Sequence, residues 1–106
     1  MKFDEPMDFI QMRDGSSYVG EIISKAFHID TGLGKPLSIP TNRIVWIIFR
    51  NASGFPKDRL QLKDASELAG QILDDDVAFR SDATGALKIP TPTILAVQLL
   101  STFGGT

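Results

Sequence analysis

A block of about forty residues occurs twice in this chain, at a constant offset of fifty and without a gap. Ile10-Gln11-Met12-Arg13-Asp14 returns as Leu60-Gln61-Leu62-Lys63-Asp64, and Gly20-Glu21-Ile22-Ile23 as Gly70-Gln71-Ile72-Leu73. Leu37, Ile39-Pro40-Thr41 and Ile44 are matched by Leu87, Ile89-Pro90-Thr91 and Ile94. A fixed period of this kind marks one supersecondary unit used twice. The matched positions are apolar residues, turn residues and prolines, and none is a catalytic type in a catalytic spacing. The repeat speaks for architecture and leaves the chemistry open.

With 106 residues there is room for one domain. Each repeat, at roughly 40–50 residues, lies near the size below which a core rarely suffices without disulfides, metal or association. The chain has no cysteine to staple it. The repeats, about 8–50 and 58–100, are therefore expected to share one core in a single domain spanning 1–106, or to borrow a partner chain. Eleven Lys and Arg stand against thirteen Asp and Glu, for a net charge of −2. That balance makes no broad basic field of the kind phosphate binding needs. The N-terminus has no apolar stretch of a secretory signal, and the longest apolar run, Ile44 to Phe49, is far short of a membrane span. With no cysteine, this points to a cytoplasmic protein with no membrane association.

Period-two alternation recurs along the chain and helical spacing hardly at all. Strands are expected at about 8–13, 17–24, 26–31, 36–39 and 44–50, then at 58–63, 67–74, 77–81, 86–89 and 94–100. Asn51 to Lys57 reads as a connector, and residues 1–7 and 101–106 as loosely held ends. Ala65–Leu73 has fair helical propensity, but its twin Gly15–Ile23 has not, and the repeat decides for strand. The fold class is all-β: two tandem five-stranded repeats forming a pseudo-twofold sandwich or fused small barrels.

The two copies also show which turn residues are obligatory. Asp14-Gly15 is a hairpin signal, yet the second copy has Asp64-Ala65. An alanine in the left-handed region costs on the order of 1 kcal/mol. The turn is therefore expected to be type I-like or longer, with the Asp as an acceptor. Gly20 and Gly70 are both kept in mid-strand, which calls for a sharp bend, a bulge or the close approach of another backbone. Pro40 and Pro90 should end the fourth strands.

The last strand of the first repeat, Ile44-Val45-Trp46-Ile47-Ile48-Phe49, is apolar at every position, so both its faces should be covered. One face serves the repeat's own core. The other covers the sister repeat or meets a partner chain. Trp46 and Ile48 are the candidate interface residues, because the sister strand has Ala96 and Gln98 in their places. That mismatch favours a homo-oligomer.

Residues 10–22, with an alternating strand, an Asp14-Gly15 turn and a second strand carrying Gly20, resemble the first half of a Sm-like domain, a small five-stranded barrel. The tandem layout is similar to bacterial domains with a recurring Asp-Gly…Gly unit. The resemblance implies fused small barrels, and as an alternative function a Sm-like RNA-binding protein. The loops that carry RNA in Sm-like proteins are not matched. Phe27-His28-Ile29-Asp30 stands in one place and Pro40-Thr41-Asn42-Arg43-Ile44 in the other, where only Asn42-Arg43 is comparable. In that alternative the nucleic-acid contacts are Lys35, Asn42, Arg43 and Arg50.

Other chemistry is sparse. His28 is the sole histidine and is expected to face solvent opposite the Phe27/Ile29 side, with no activated serine indicated by spacing. Asp74-Asp75-Asp76, with Asp82 nearby, lacks the pattern of a calcium loop and reads as a solvated turn. Gly32-Leu33-Gly34-Lys35 lacks the P-loop spacing and reads as a tight turn. No catalytic, metal or cofactor residues are assigned. The expected function is a non-enzymatic β scaffold that assembles with itself or with a protein partner.

Overall fold

A computed structural model describes residues 7–50, 57–81 and 84–99 of the chain. Among them are ten strands: β1 (Asp8–Met12), β2 (Ser17–Ile22), β3 (Ala26–Asp30), β4 (Leu37–Pro40), β5 (Ile44–Ile48), β6 (Asp58–Leu62), β7 (Glu67–Ile72), β8 (Asp76–Ser81), β9 (Gly85–Pro90) and β10 (Ile94–Gln98). Each lies within about two residues of its expected place, and the stretch with helical propensity is strand β7. Both fourth strands stop at their prolines. A single 3-10 turn follows each, at Thr41–Arg43 and Thr91–Thr93. The connector residues 51–56, Asp82, Leu100 and most of both ends lie outside the described residues.

All ten strands join one antiparallel sheet in the order β4-β3-β7-β6-β5-β10-β1-β2-β8-β9. Replacing each strand by its counterpart fifty residues away reverses this order and leaves it otherwise unchanged. The midpoint falls between β5 and β10, where Ile47 faces Val97. The last strand of the first repeat therefore meets its sister edge to edge, through backbone hydrogen bonds. Beyond the centre the repeats interleave: β2 pairs with β8 and β3 pairs with β7. Neither second strand pairs with the third strand of its own repeat.

Among the described residues, fifteen buried apolar side chains form one cluster, including Ile10, Ile47, Leu60, Val97, Phe27 and Phe79. Across the centre of the sheet, Tyr18, Ile10, Val97, Ile47, Leu60 and Leu68 stand in one cross-strand row. The four central members are buried and the two outer ones partly so. One sheet with one buried face has no second layer to lie against, so it closes over its own core.

The closure is made at two corners. Residues Ser17–Gly20 of β2 pair with β1, and Glu21 and Ile22 pair with β8 on the strand's other edge. The residue at the changeover has no side chain: it is Gly20 in the first repeat and Gly70 in the second, both buried. A β-carbon on Gly20 would collide with the carbonyl oxygen of Arg80 and lie 2.7 Å from Phe79 Cζ. One on Gly70 would collide with the carbonyl oxygen of Asp30. Close approach of another backbone is thus the reason for both glycines, and the backbone belongs to the other repeat. Beside each glycine sits a buried carboxylate. Asp8 faces Gly20 and accepts the backbone N–H of Ile22 at 2.8 Å. Asp58 faces Gly70 and accepts that of Ile72 at 2.7 Å, and its second oxygen accepts the N–H of Arg50.

The segments that carry the chain between pairings, 23–25 and 73–75, are held by matching bonds. Ile23 N–H donates to Ala78 O and Leu73 N–H to His28 O, each at 2.8 Å. The Thr41 hydroxyl donates to Ser24 O at 2.6 Å, and that of Thr91 to Asp74 O at 2.7 Å.

The Asp-Gly turn corrects one expectation. Asp14 and Asp64 do act as acceptors, from the N–H groups of Ser16 and Ser66. These bonds, backbone first and hydroxyl second, hold both carboxyls below the usual aspartate value. Residue 15 donates to Met12 O and residue 65 to Leu62 O, closing a four-residue turn. Yet Gly15 has φ +96° and Ala65 φ +75°. The second copy keeps the left-handed conformation and bears the strain, because the flanking strands fix the turn.

Three outcomes follow from these corners and turns. Gly70→Val should destabilise by about 3 kcal/mol, the upper end of overpacking costs, since the obstacle is backbone; urea unfolding reads it. Ala65→Gly should stabilise by roughly 0.5–1 kcal/mol by releasing left-handed strain, less the glycine's unfolded-state entropy. Gly15→Ala should cost a similar amount.

Candidate interaction surface

The face of the central sheet opposite the core is built by the alternate residues of the same six strands. Val19, Phe9, Gln98, Trp46, Gln61 and Glu67 form one cross-strand row on it. Ser17, Gln11, Ala96, Ile48, Arg59 and Ala69 form the next. At about 4.8 Å per strand the rows run roughly 24 Å across the sheet. Val19 is 54% exposed, while Phe9, Trp46, Ile48 and Ala96 are partly buried. Two bulges, between Ile44 and Trp46 and between Gln11 and Met12, shift the pairing beside this face. The apolar residues gather from Val19 to Ile48. The opposite end is polar, with Arg59 donating to Glu67 at 2.9 Å.

Trp46 and Ile48 therefore stand together on this outer face, outside the buried cluster. The candidate nucleic-acid residues do not converge in the same way. Lys35 lies in the exposed loop before β4, and Asn42 and Arg43 lie in the 3-10 turn after it. Arg43 and Arg50 flank β5 at its two ends, roughly 20 Å apart. Asp64 lies near enough for the charge of Arg43 to lower its pKa further. Arg50 instead borders a small cleft with Lys57, Asp30 and Gly32.

His28 is exposed, opposite the buried Phe27 and Ile29 as expected, and it has a partner. Its Nδ1 lies 2.8 Å from Asp74 Oδ1, and its backbone N–H donates to Oδ2 of the same carboxylate. Asp74 is thereby the counterpart of Ser24, whose hydroxyl accepts the N–H of Ala78. The first aspartate of the acidic run links a crossover segment to β3. Ser38 of β4 is the cross-strand partner of His28. The His28 ring is half exposed there. No group of three or more metal-ligating side chains occurs among the described residues.

An open cleft of about 790 Å³ runs beside Arg13, Arg50, Asp58 and Asp74. Arg13 is tied down within it, donating from Nε to Pro92 O at 2.8 Å and from Nη2 to Arg50 O at 2.7 Å. Asp58 is spent on two backbone amides. Within the cleft the side chains of Arg13, Asp58 and Asp74 are thus committed to the fold. Asp8 and Asp58 are the functional-type residues that sequence reasoning passed over. The available signal was a pair of aspartates fifty residues apart, in phase with the inward-facing Ile10 and Leu60.

Comparison with protein-family profiles, with curated proteins and with solved structures gives no match. Among the described residues no helix is long and apolar enough to cross a membrane.

Trp46 is the only tryptophan, which makes the surface directly observable. In dilute solution its fluorescence should be readily quenched by acrylamide, as for a partly exposed indole. Resistance to quenching at every concentration would place it in a covered site.

Proposed function

We propose that the protein is a non-enzymatic β scaffold, two Sm-like five-stranded units fused in tandem, that assembles with further copies of itself through the outer face around Trp46 and Ile48. The observation that carries the reading is the position of these two side chains: both are on the face turned away from the core, Ile48 opposite Ala96 and Trp46 in one cross-strand row with Phe9 and Val19. The sheet order supports the two-unit description. Each half of the sheet, β10-β1-β2-β8-β9 and β5-β6-β7-β3-β4, holds one first, second, third, fourth and fifth strand of the repeat. The first and second come from one repeat and the other three from its sister.

The size of the apolar patch sets the strength of the contact. The apolar residues occupy two rows over four strands, roughly 14 Å across, an area of about 200 Å² and below the roughly 300–600 Å² of the largest apolar patch on a typical monomer. A standard stable interface takes about 800 Å² from each partner. The assembly is thus reversible and concentration-dependent, with Gln98 between Phe9 and Trp46, and Gln11 and Gln61 nearby, adding hydrogen bonds. The separation of Arg43 from Arg50 gives no comparable support to RNA binding.

Light scattering from micromolar to millimolar protein tests the reading. The mass should rise above the 11.6 kDa of one chain. Trp46→Ala with Ile48→Ser should abolish the rise and leave the unfolding transition cooperative, since neither side chain is in the buried cluster. A mass that stays monomeric, or protein that co-purifies with nucleic acid by its ultraviolet absorbance ratio, would overturn it.

A further inference from the structure

We infer that the two repeats carry complementary pairing codes, so that the first repeat recognises the second and rejects a copy of itself. Every lateral contact between the repeats has a counterpart fifty residues away, which makes the mixed arrangement and the two self-paired ones equivalent in backbone terms. The side chains are not equivalent. Where β2 meets β8, Glu21 faces Arg80 and accepts from its Nη2 at 2.7 Å. Where β7 meets β3, the corresponding residues are Gln71 and Asp30.

Pairing the first repeat with itself would set Glu21 opposite Asp30 at both junctions. Like charges directly across strands are destabilising, whereas opposite charges attract. It would also set Trp46 against Ile48 twice at the centre, where the native pairs are Trp46 with Gln98 and Ile48 with Ala96. Pairing the second repeat with itself would leave Arg80 facing Gln71 and would replace the Ile47–Val97 contact by two valines. At these three junctions, β2 with β8, β3 with β7 and β5 with β10, only the mixed arrangement has an ion pair, no like-charge pair, and a large residue opposite a small or flexible one across the centre. The partner that the β2, β3 and β5 edges of the first repeat fit is therefore a second repeat, whether from the same chain or from another copy. The inference uses Trp46 and Ile48 only through their cross-strand neighbours within the sheet and needs no contact made across the outer face, so it is tested separately from self-assembly there.

The test keeps the full chain and replaces residues 51–56 by a protease site. After cutting, the protein is unfolded in urea, refolded by dilution and weighed by native mass spectrometry, which distinguishes the fragments by mass. Mixed pairs should exceed pairs of first repeats at least tenfold. Pairs in statistical proportion, or fragments that do not re-form a folded particle, would overturn the inference. In the uncut chain, Glu21→Arg and Arg80→Glu should each lower the urea midpoint, and the double variant should recover most of the loss. A double variant no better than the sum of the singles would also overturn it.

Discussion

Each corner of the sheet is made by an aspartate and a glycine standing opposite one another, Asp8 with Gly20 and Asp58 with Gly70. The glycine lets the backbone of the other repeat pass where a β-carbon would collide. The bend turns the N–H two residues on toward the aspartate, and the buried carboxylate accepts it. A buried polar group without a partner costs about 1–3 kcal/mol, so carboxylate and glycine solve two parts of one problem. Every later feature depends on the bend: the closure of the sheet over its core, the side on which β8 and β3 arrive, and the direction of the crossover segments.

From these corners follows the interleaving of the repeats. The chain leaves β2 at Ile22 and, after a short crossover, enters β3 in the other half of the sheet; it returns between β7 and β8. Residues 26–72 thus supply one half of the sheet, and the segments on either side of them supply the other. The buried cluster and the central pair β5/β10 join the two halves of the sheet. Matching bonds between corresponding positions continue down to the crossovers, where Ser24 and Asp74 perform the same service for Ala78 and His28.

Much of this was legible in the sequence because it obeys short-range rules. Alternation placed all ten strands, the paired prolines ended β4 and β9, and the two mid-strand glycines announced a close backbone. What could not be read was which strand each edge would choose. Ile22 facing Phe79 and Ile22 facing Ile29 are equally apolar pairings, so pattern alone does not separate exchange from its absence. The Ala65 turn was misread for a related reason: local propensity argued against a left-handed alanine, and strand pairing on both sides overrode it. The partner of His28, Asp74, could not be read because it lies forty-six residues away. The outer face was legible only in part. The excess of apolar residues in 44–49 was plain, but its neighbours Phe9 and Val19 joined it only through the pairing of β2, β1, β10 and β5.

The central claim is that strands are exchanged between repeats, and backbone proximity tests it most directly. In an isotopically labelled sample, cross-strand nuclear Overhauser effects should connect Ile22 with Phe79 and Glu21 with Arg80, and equally Ile29 with Ile72. Effects joining Ile22 to Ile29 and Ile72 to Phe79 instead, with none between the repeats at these positions, would show each repeat folded upon itself and would contradict the account.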